Sequence, residues 1–159
     1  MDTCHTTSGA CLAAGTPETI AIEKAIMDVI AHIHRGQLDA SDKILGPYEL
    51  NDSSFKALLA ICASGNTGMM PSQLSNLGRG SRANMTRISD QLVRRGLIVR
   101  QGEAGDRRVH RLLATADGTQ LAQALAPQYE QHFSRTFSVF SDAQKAVLLH
   151  LLELRLKAL

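Results

Sequence analysis

The sequence predicts a mainly α chain with one two-stranded β hairpin, on three observations. Apolar residues recur at helical spacing through both ends of the chain. Between them, PSQLSNLGRGSRANMTRISDQLVRRGLIVRQGEAGDRRVHR (71–111) reads as a short helix, a turn, an amphipathic helix, and two strand-like runs joined by a polar loop containing glycine. Positive charge is concentrated in this stretch. Residues 79–111 hold nine arginines against three acids, a net of +6 in a chain whose formal net charge is +2, so the remainder carries −4. That order of elements is a winged helix-turn-helix, and the asymmetry is the electrostatic footprint of a nucleic-acid binder.

Residues 1–16 read as a flexible tail rich in Ser, Thr, Gly and Ala. Thr16-Pro17-Glu18 opens a helix with a cap, a first-turn proline and an acid near the positive helix end. Ile22, Ile26, Val29, Ile30 and Ile33 continue it, and Gly46-Pro47 stops it near Leu45. So long and apolar a helix needs a partner surface. Asn51 or Asp52 caps the next helix, whose Phe55, Leu58, Leu59 and Cys62 share one face. The run Ser64–Gly68 breaks it. Pro71 opens a short helix ending at Gly78, and Ser81 caps the helix after it. On that helix Met85, Ile88 and Leu92 cluster within about 60° and face the core. Arg82, Ala83, Thr86, Arg87, Asp90 and Arg94 fall on or beside the opposite side. Gly96 ends it. Residues 97–100 and 109–113 are the expected strands, with 102–106 as the turn of the wing.

Thr115-Ala116-Asp117-Gly118 opens a further helix that Pro127 is expected to kink or interrupt. Phe133, Phe137 and Phe140 keep the apolar spacing. Ser141-Asp142 caps a last helix with Val147, Leu148, Leu151, Leu152, Leu156 and Leu159. The chain thus divides into a tail (1–16), a dimerisation helix (17–47), a winged DNA-binding module (48–114) and C-terminal dimerisation helices (115–159).

Composition narrows the class. A chain of 159 residues with 44% hydrophobic content is expected to form one compact core-bearing domain, or one such domain with extensions. No apolar run approaches the ~18–20 residues that span a bilayer. The N-terminus lacks the basic and apolar regions of a secretory signal, so a cytoplasmic location is expected. Three cysteines without a CxxC spacing argue against a disulfide framework; Cys4 and Cys11 lie in the tail and Cys62 on an apolar stripe. His32 and His34 point to different sides of a helix. Asp28 with His32 makes an incomplete pair, so no metal site and no cofactor are expected. Nucleophile-elbow, Walker and dinucleotide fingerprints are missing, and an enzyme is not expected.

The chemistry-bearing residues are those of a helix that enters the major groove. Arginine grips guanine O6 and N7 in bidentate fashion, which suits Arg82 and Arg87 to base or phosphate contact. Asn84 and Thr86 add shorter-range hydrogen bonds. Ser72, Gln73 and Ser81, at the starts of the two helices, complete the expected helix contacts. The plainer reading of these arginines is a solvated helix face; the neighbouring turn and wing favour DNA contact.

The segments LNDSSFKALLAI, PSQLSNLGRGSRANMTRISDQLVRRGLIVR, DRR (106–108) and LLATADGTQL resemble the MarR family of bacterial transcription regulators, over roughly residues 20–157. Within it the resemblance runs to the EmrR (MprA)-like branch, and a narrower reading is a regulator of the BpsR/NicR type. It implies a homodimer with interlocked terminal helices and two winged modules on successive turns of double-stranded DNA. It also implies a repressor of a pseudo-palindromic operator, released by a small aromatic acid. In the wing it implies that Asp106 orients an arginine, Arg107 or Arg108, that inserts in the minor groove; the alternative is a local turn salt bridge. The effector would be a salicylate- or hydroxynicotinate-like carboxylate. Such a ligand needs a cation and an apolar wall. His32, Arg35 and Tyr48 could meet the first need, and Phe55, Met69 and Met70 the second; the alternative for Tyr48 and Phe55 is ordinary core. Rival functions are a thiol-redox or ligand-independent regulator and, in a different class, a protein-interaction module with a degenerate winged helix. The operator, the regulated genes, the sign of regulation and the effector's identity are not legible in the residues.

Overall fold

The computed structural model describes residues 16–77, 82–103 and 106–158; for residues 77, 103 and 106–109 it describes the backbone alone. Among these are six α-helices and one antiparallel pair of strands: α1 (Pro17–Leu45), α2 (Asp52–Ala63), α3 (Pro71–Leu77), α4 (Arg82–Arg94), β1 (Ile98–Glu103), β2 (Asp106–Ala114), α5 (Ala116–Thr136) and α6 (Asp142–Lys157). The expected mainly α winged architecture is present. The tail, Cys4, Cys11, Gly78, Ser81 and Leu159 lie outside the described residues.

The chain separates into two units, 1–37 and 38–159, with the boundary inside α1. The reason is burial: Ser41 and Leu45 of its last turns are buried in the second unit, while most residues of 17–37 are exposed. In the second unit Leu45, Phe55, Leu58, Ile61, Leu74, Ile88, Leu92, Ile98, Leu112 and Leu125 are almost wholly removed from water. They make one core joining α2 to α5 around the hairpin. The buried face of α2 centres on Phe55, Leu58 and Ile61; the expected Leu59 and Cys62 sit half-buried at its margin.

Local signals explain the element ends. Asn51 caps α2: its Oδ1 accepts the Ser54 N–H at 2.9 Å, and Ser54 Oγ accepts the Asn51 N–H at 2.9 Å. Asp52 is therefore free for a different task, accepting the Tyr129 hydroxyl and pairing with Lys56 at 2.8 Å. Gly96 ends α4 in the left-handed region (φ +67°), with Leu97 N–H bonded back to Leu92 O at 3.0 Å. Thr115 Oγ1 accepts the Gly118 N–H at 3.0 Å to start α5, and Ser141 with Gln144 forms the same kind of reciprocal cap on α6. Pro127 does not interrupt α5, which runs on to Thr136. A proline removes one N–H donor, and a helix of 21 residues keeps enough other bonds to continue.

The strands are longer than expected. Pairing runs from Ile98 opposite Ala114 to Glu103 opposite Asp106, with an irregularity between Gly102 and Glu103. Asp106 is thus in the return strand and not in the turn, because the irregularity absorbs the mismatch and lets the ladder continue. Met69 pairs with Leu112 through two bonds of 2.9 and 2.8 Å, fastening the segment before α3 to the wing.

Candidate nucleic-acid interface

α4 is held by one face and open on the other. Met85, Ile88 and Leu92 are buried, as is Ser89, whose hydroxyl donates to Met85 O at 2.8 Å. Arg82, Ala83, Thr86, Arg87 and Arg94 are exposed on the far side. Ala83, Thr86, Arg87 and Arg94 share an open groove with Asp90 and Val93 of the same helix and Arg100 of β1. Thr86 Oγ1 donates to Arg82 O at 3.0 Å, and Arg87 Nη2 donates to Asn84 Oδ1 at 3.3 Å. These bonds place the arginine beside the amide without burying it. Such a surface is a row of cationic and hydrogen-bonding groups on a rigid helix, matched to phosphates and base edges.

On α3, Ser72 and Gln73 are exposed, and Gln73 Oε1 accepts the Met70 N–H at 2.8 Å, so it also caps its own helix. Ser81 lies outside the described residues. Asp106, Arg107 and Arg108 are placed by backbone at the start of β2; their side chains lie outside the described set.

Among the described arginine side chains of this stretch, three serve the fold, which the sequence reading did not separate. Arg100 is ion-paired with Asp90 across α4 and β1. Arg111 Nη1 donates to Thr67 O at 3.3 Å. Arg95 Nη1 donates to Glu49 O at 3.0 Å. One signal was available for Arg95: its helical phase lies within about 20° of Ile88, on the core side.

The expected effector residues fall in both units. In the first unit His32 and Arg35 are exposed on α1. In the second, Tyr48 is exposed in the turn after α1, Met69 and Met70 are half-buried, and Phe55 is fully buried. Phe55 packs edge-on to Tyr129 with ring centroids 5.0 Å apart, so it is a packing residue in this arrangement. Tyr129 meets Phe133 in the same way at 5.1 Å. Burial, and then the hydrogen bond to the Asp52 carboxylate, push the Tyr129 phenol above its ordinary value. Burial likewise raises the Cys62 thiol, offset in part by a hydrogen bond with Thr119. A raised thiol is a poor source of reactive thiolate. Among the described residues no helix is long and apolar enough to cross a membrane.

This geometry has close relatives. The MarR family model matches residues 50–110, which span α2 to the wing. The transcriptional repressor MprA of Escherichia coli is 31% identical over 114 residues, covering 72% of this chain and 65% of MprA. The chain belongs to the MarR family. Its matched part spans somewhat less than two thirds of that relative's length. Among solved structures, the Staphylococcus aureus MepR–DNA complex superposes with a TM-score of 0.76 at 18% identity, over 86% of this chain and 97% of that one. Bordetella bronchiseptica BpsR, described as regulated in its DNA binding by 6-hydroxynicotinic acid, superposes with a TM-score of 0.72 at 19% identity, over 80% and 90% of the two chains. At those identities the likeness establishes the fold. The relatives are transcriptional regulators and not enzymes, as the missing catalytic fingerprints led us to expect.

Proposed function

We propose that this chain is a homodimeric transcriptional repressor that binds a pseudo-palindromic operator and releases it when a small aromatic carboxylate binds. One observation carries the DNA-binding part: α4 exposes Arg82, Thr86, Arg87 and Arg94 opposite a fully buried apolar stripe. The helix is thereby fixed to the core while its cationic face stays available to a major groove. The repressor MprA and the DNA-bound MepR fold support the same reading.

Self-association is supported by apolar exposure. Ile22 (57%), Ile26 (52%) and Val29 (57%) of α1 face solvent in the first unit, as do Val147 (60%) and Leu151 (56%) of α6 in the second. Monomers rarely leave patches of this kind uncovered. The effector class rests on BpsR and, within the first unit, on the exposed His32 and Arg35, which supply cationic groups for a carboxylate. Release is a population shift: the acid must bind better to a dimer whose recognition helices are wrongly spaced for successive major grooves.

Selection of duplexes from random DNA, followed by anisotropy titration with the selected site, tests the reading. The expected site is a pseudo-palindrome with half-sites about one helical turn apart. Failure to enrich any sequence would refute it.

A further inference from the structure

Arg94 and Arg95 are neighbours with opposite surroundings. Arg94 is exposed on the groove side of α4. Arg95 turns the other way, its side chain only 24% exposed, and Nη1 donates to the main-chain carbonyl of Glu49 at 3.0 Å. Gln91, one turn earlier, donates to that same carbonyl through Nε2 at 3.3 Å. The Glu49 carboxylate lies 3.8 Å from Arg95 Nε. A single acceptor thus gathers one side chain from the last turn of α4 and one from the residue that follows it.

Glu49 is itself held firmly. Its N–H bonds to Gly46 O at 2.8 Å, and the next N–H, of Leu50, bonds to Leu45 O at 3.2 Å. That is the helix-ending arrangement in which the left-handed residue is ordinarily glycine. Here the residue is a glutamate at φ +51°, the one non-glycine with positive φ among the described residues. A side chain at a position that favours glycine points to a use for it, and the groups facing it are those of Arg95.

We infer that the Glu49–Gln91–Arg95 clamp sets the pose of the reading helix, and that Arg95 is a positioning residue for DNA recognition and not a phosphate contact. The inference rests on the DNA-binding reading above. Its mechanism is steric and electrostatic. Met85, Ile88 and Leu92 fix α4 to the core, but apolar contacts are non-directional and set the helix's roll less sharply than hydrogen bonds do. Two hydrogen bonds to one fixed carbonyl resist that roll at the C-terminal end. A small rotation there moves Arg87 across the floor of the groove, where bidentate contacts tolerate little error.

Salt dependence separates this role from a direct contact, because each neutralised phosphate contributes about one to the slope of log affinity against log salt. Arg95→Met, Arg95→Lys, Gln91→Met and Glu49→Gly are compared with the wild type on the selected operator and on a scrambled duplex, over roughly 50–200 mM KCl, with thermal melts run in parallel. Arg95→Met is expected to lose about tenfold in operator affinity, the worth of one charged hydrogen bond, with the slope and the scrambled-duplex affinity unchanged. Arg95→Lys, which retains a donor for the carbonyl, should recover most of the loss. Gln91→Met should give a smaller loss of the same kind, and it tests the clamp even if Arg95→Met folds poorly. Glu49→Gly keeps the carbonyl and relaxes the backbone, so it should raise the melting temperature while affecting operator affinity less than Arg95→Met. A slope reduced by about one in Arg95→Met, with equal losses on both duplexes, overturns the inference and leaves the DNA-binding reading intact. Wild-type operator affinity in both Arg95→Met and Gln91→Met overturns it as well. A wild type that prefers no duplex overturns the DNA-binding reading and this inference together.

Discussion

Gly118→Ala probes the junction between the wing and α5. A Cβ built on Gly118 would lie 2.0 Å from Leu97 O, 2.9 Å from Leu97 C and 3.2 Å from its Cα. The obstacle is main chain, so no rotamer change relieves it. The Leu97 carbonyl also accepts from Thr115 N–H at 3.1 Å and from Thr115 Oγ1 at 3.1 Å, so displacing it disturbs the cap that starts α5. Overpacking of this kind costs about 1–3 kcal/mol, and loss of a helix cap adds about 1 kcal/mol. Alanine returns up to about 1 kcal/mol through helix propensity. The balance is a destabilisation of about 1–3 kcal/mol, at about 2–4 °C per kcal/mol for a chain of this size. A melting temperature lower by roughly 5 °C is expected, read by circular dichroism at fixed protein concentration. Thr115→Ser, which keeps the capping hydroxyl, should melt close to the wild type. Gly36→Ala, with nothing within 4 Å of the added methyl, should melt no lower than the wild type. If Gly118→Ala melted at or above the wild type, the packing argument at this junction would be wrong.

Leu151→Asp places a charge on the exposed apolar surface of α6 and should shift sedimentation from dimer toward monomer; an unchanged dimer would exclude α6 from the interface. Arg87→Ala should lower operator affinity by about 1–3 kcal/mol and relax specificity at one base, while Arg108→Ala should weaken all duplexes more evenly, both read by anisotropy titration. Tyr129→Phe should melt lower at neutral pH, because it removes the bond to Asp52. The folded-state Tyr129 phenol is raised, so its contribution is fully present below the unfolded value of about 10 and is lost as pH rises above it. The wild type should therefore lose stability faster than Tyr129→Phe in alkaline urea titrations; parallel curves would contradict the assigned bond. Arg35→Ala should keep operator binding and lose the response to salicylate or 6-hydroxynicotinate in an operator-release assay, and a variant that still responds would move the carboxylate site elsewhere.

Local chemistry made much of the fold legible. Thr16-Pro17, Ser141-Asp142 and the Thr115–Gly118 pair marked helix starts through side-chain caps, which depend on residues three or four apart. Gly96 marked a helix end because only glycine enters the left-handed region at little cost. The stripe Met85–Ile88–Leu92 gave the orientation of α4, and therefore the exposed cationic face, because helical phase is a property of spacing alone. Pro127 misled, since its disruptive effect depends on how well the rest of the helix is held. The wing strands extended beyond the expected residues because ladder pairing depends on the opposite strand.

What the sequence by itself determined is the order of elements, most of the caps, the exposed cationic face of α4 and the basic bias of the central stretch, all set by interactions within a few residues. Only the tertiary structure decided how the described arginines divide between exposed and fold-holding positions. Arg95 meets a carbonyl 46 residues away, and Arg100 meets Asp90 across a helix–strand packing. It alone decided that Asn51 caps α2 while Asp52 holds Tyr129, 77 residues further along the chain. A charged side chain has the same sequence signature whether it reaches water, a phosphate or a distant carbonyl, because its partner is chosen by packing and not by its neighbours in the chain.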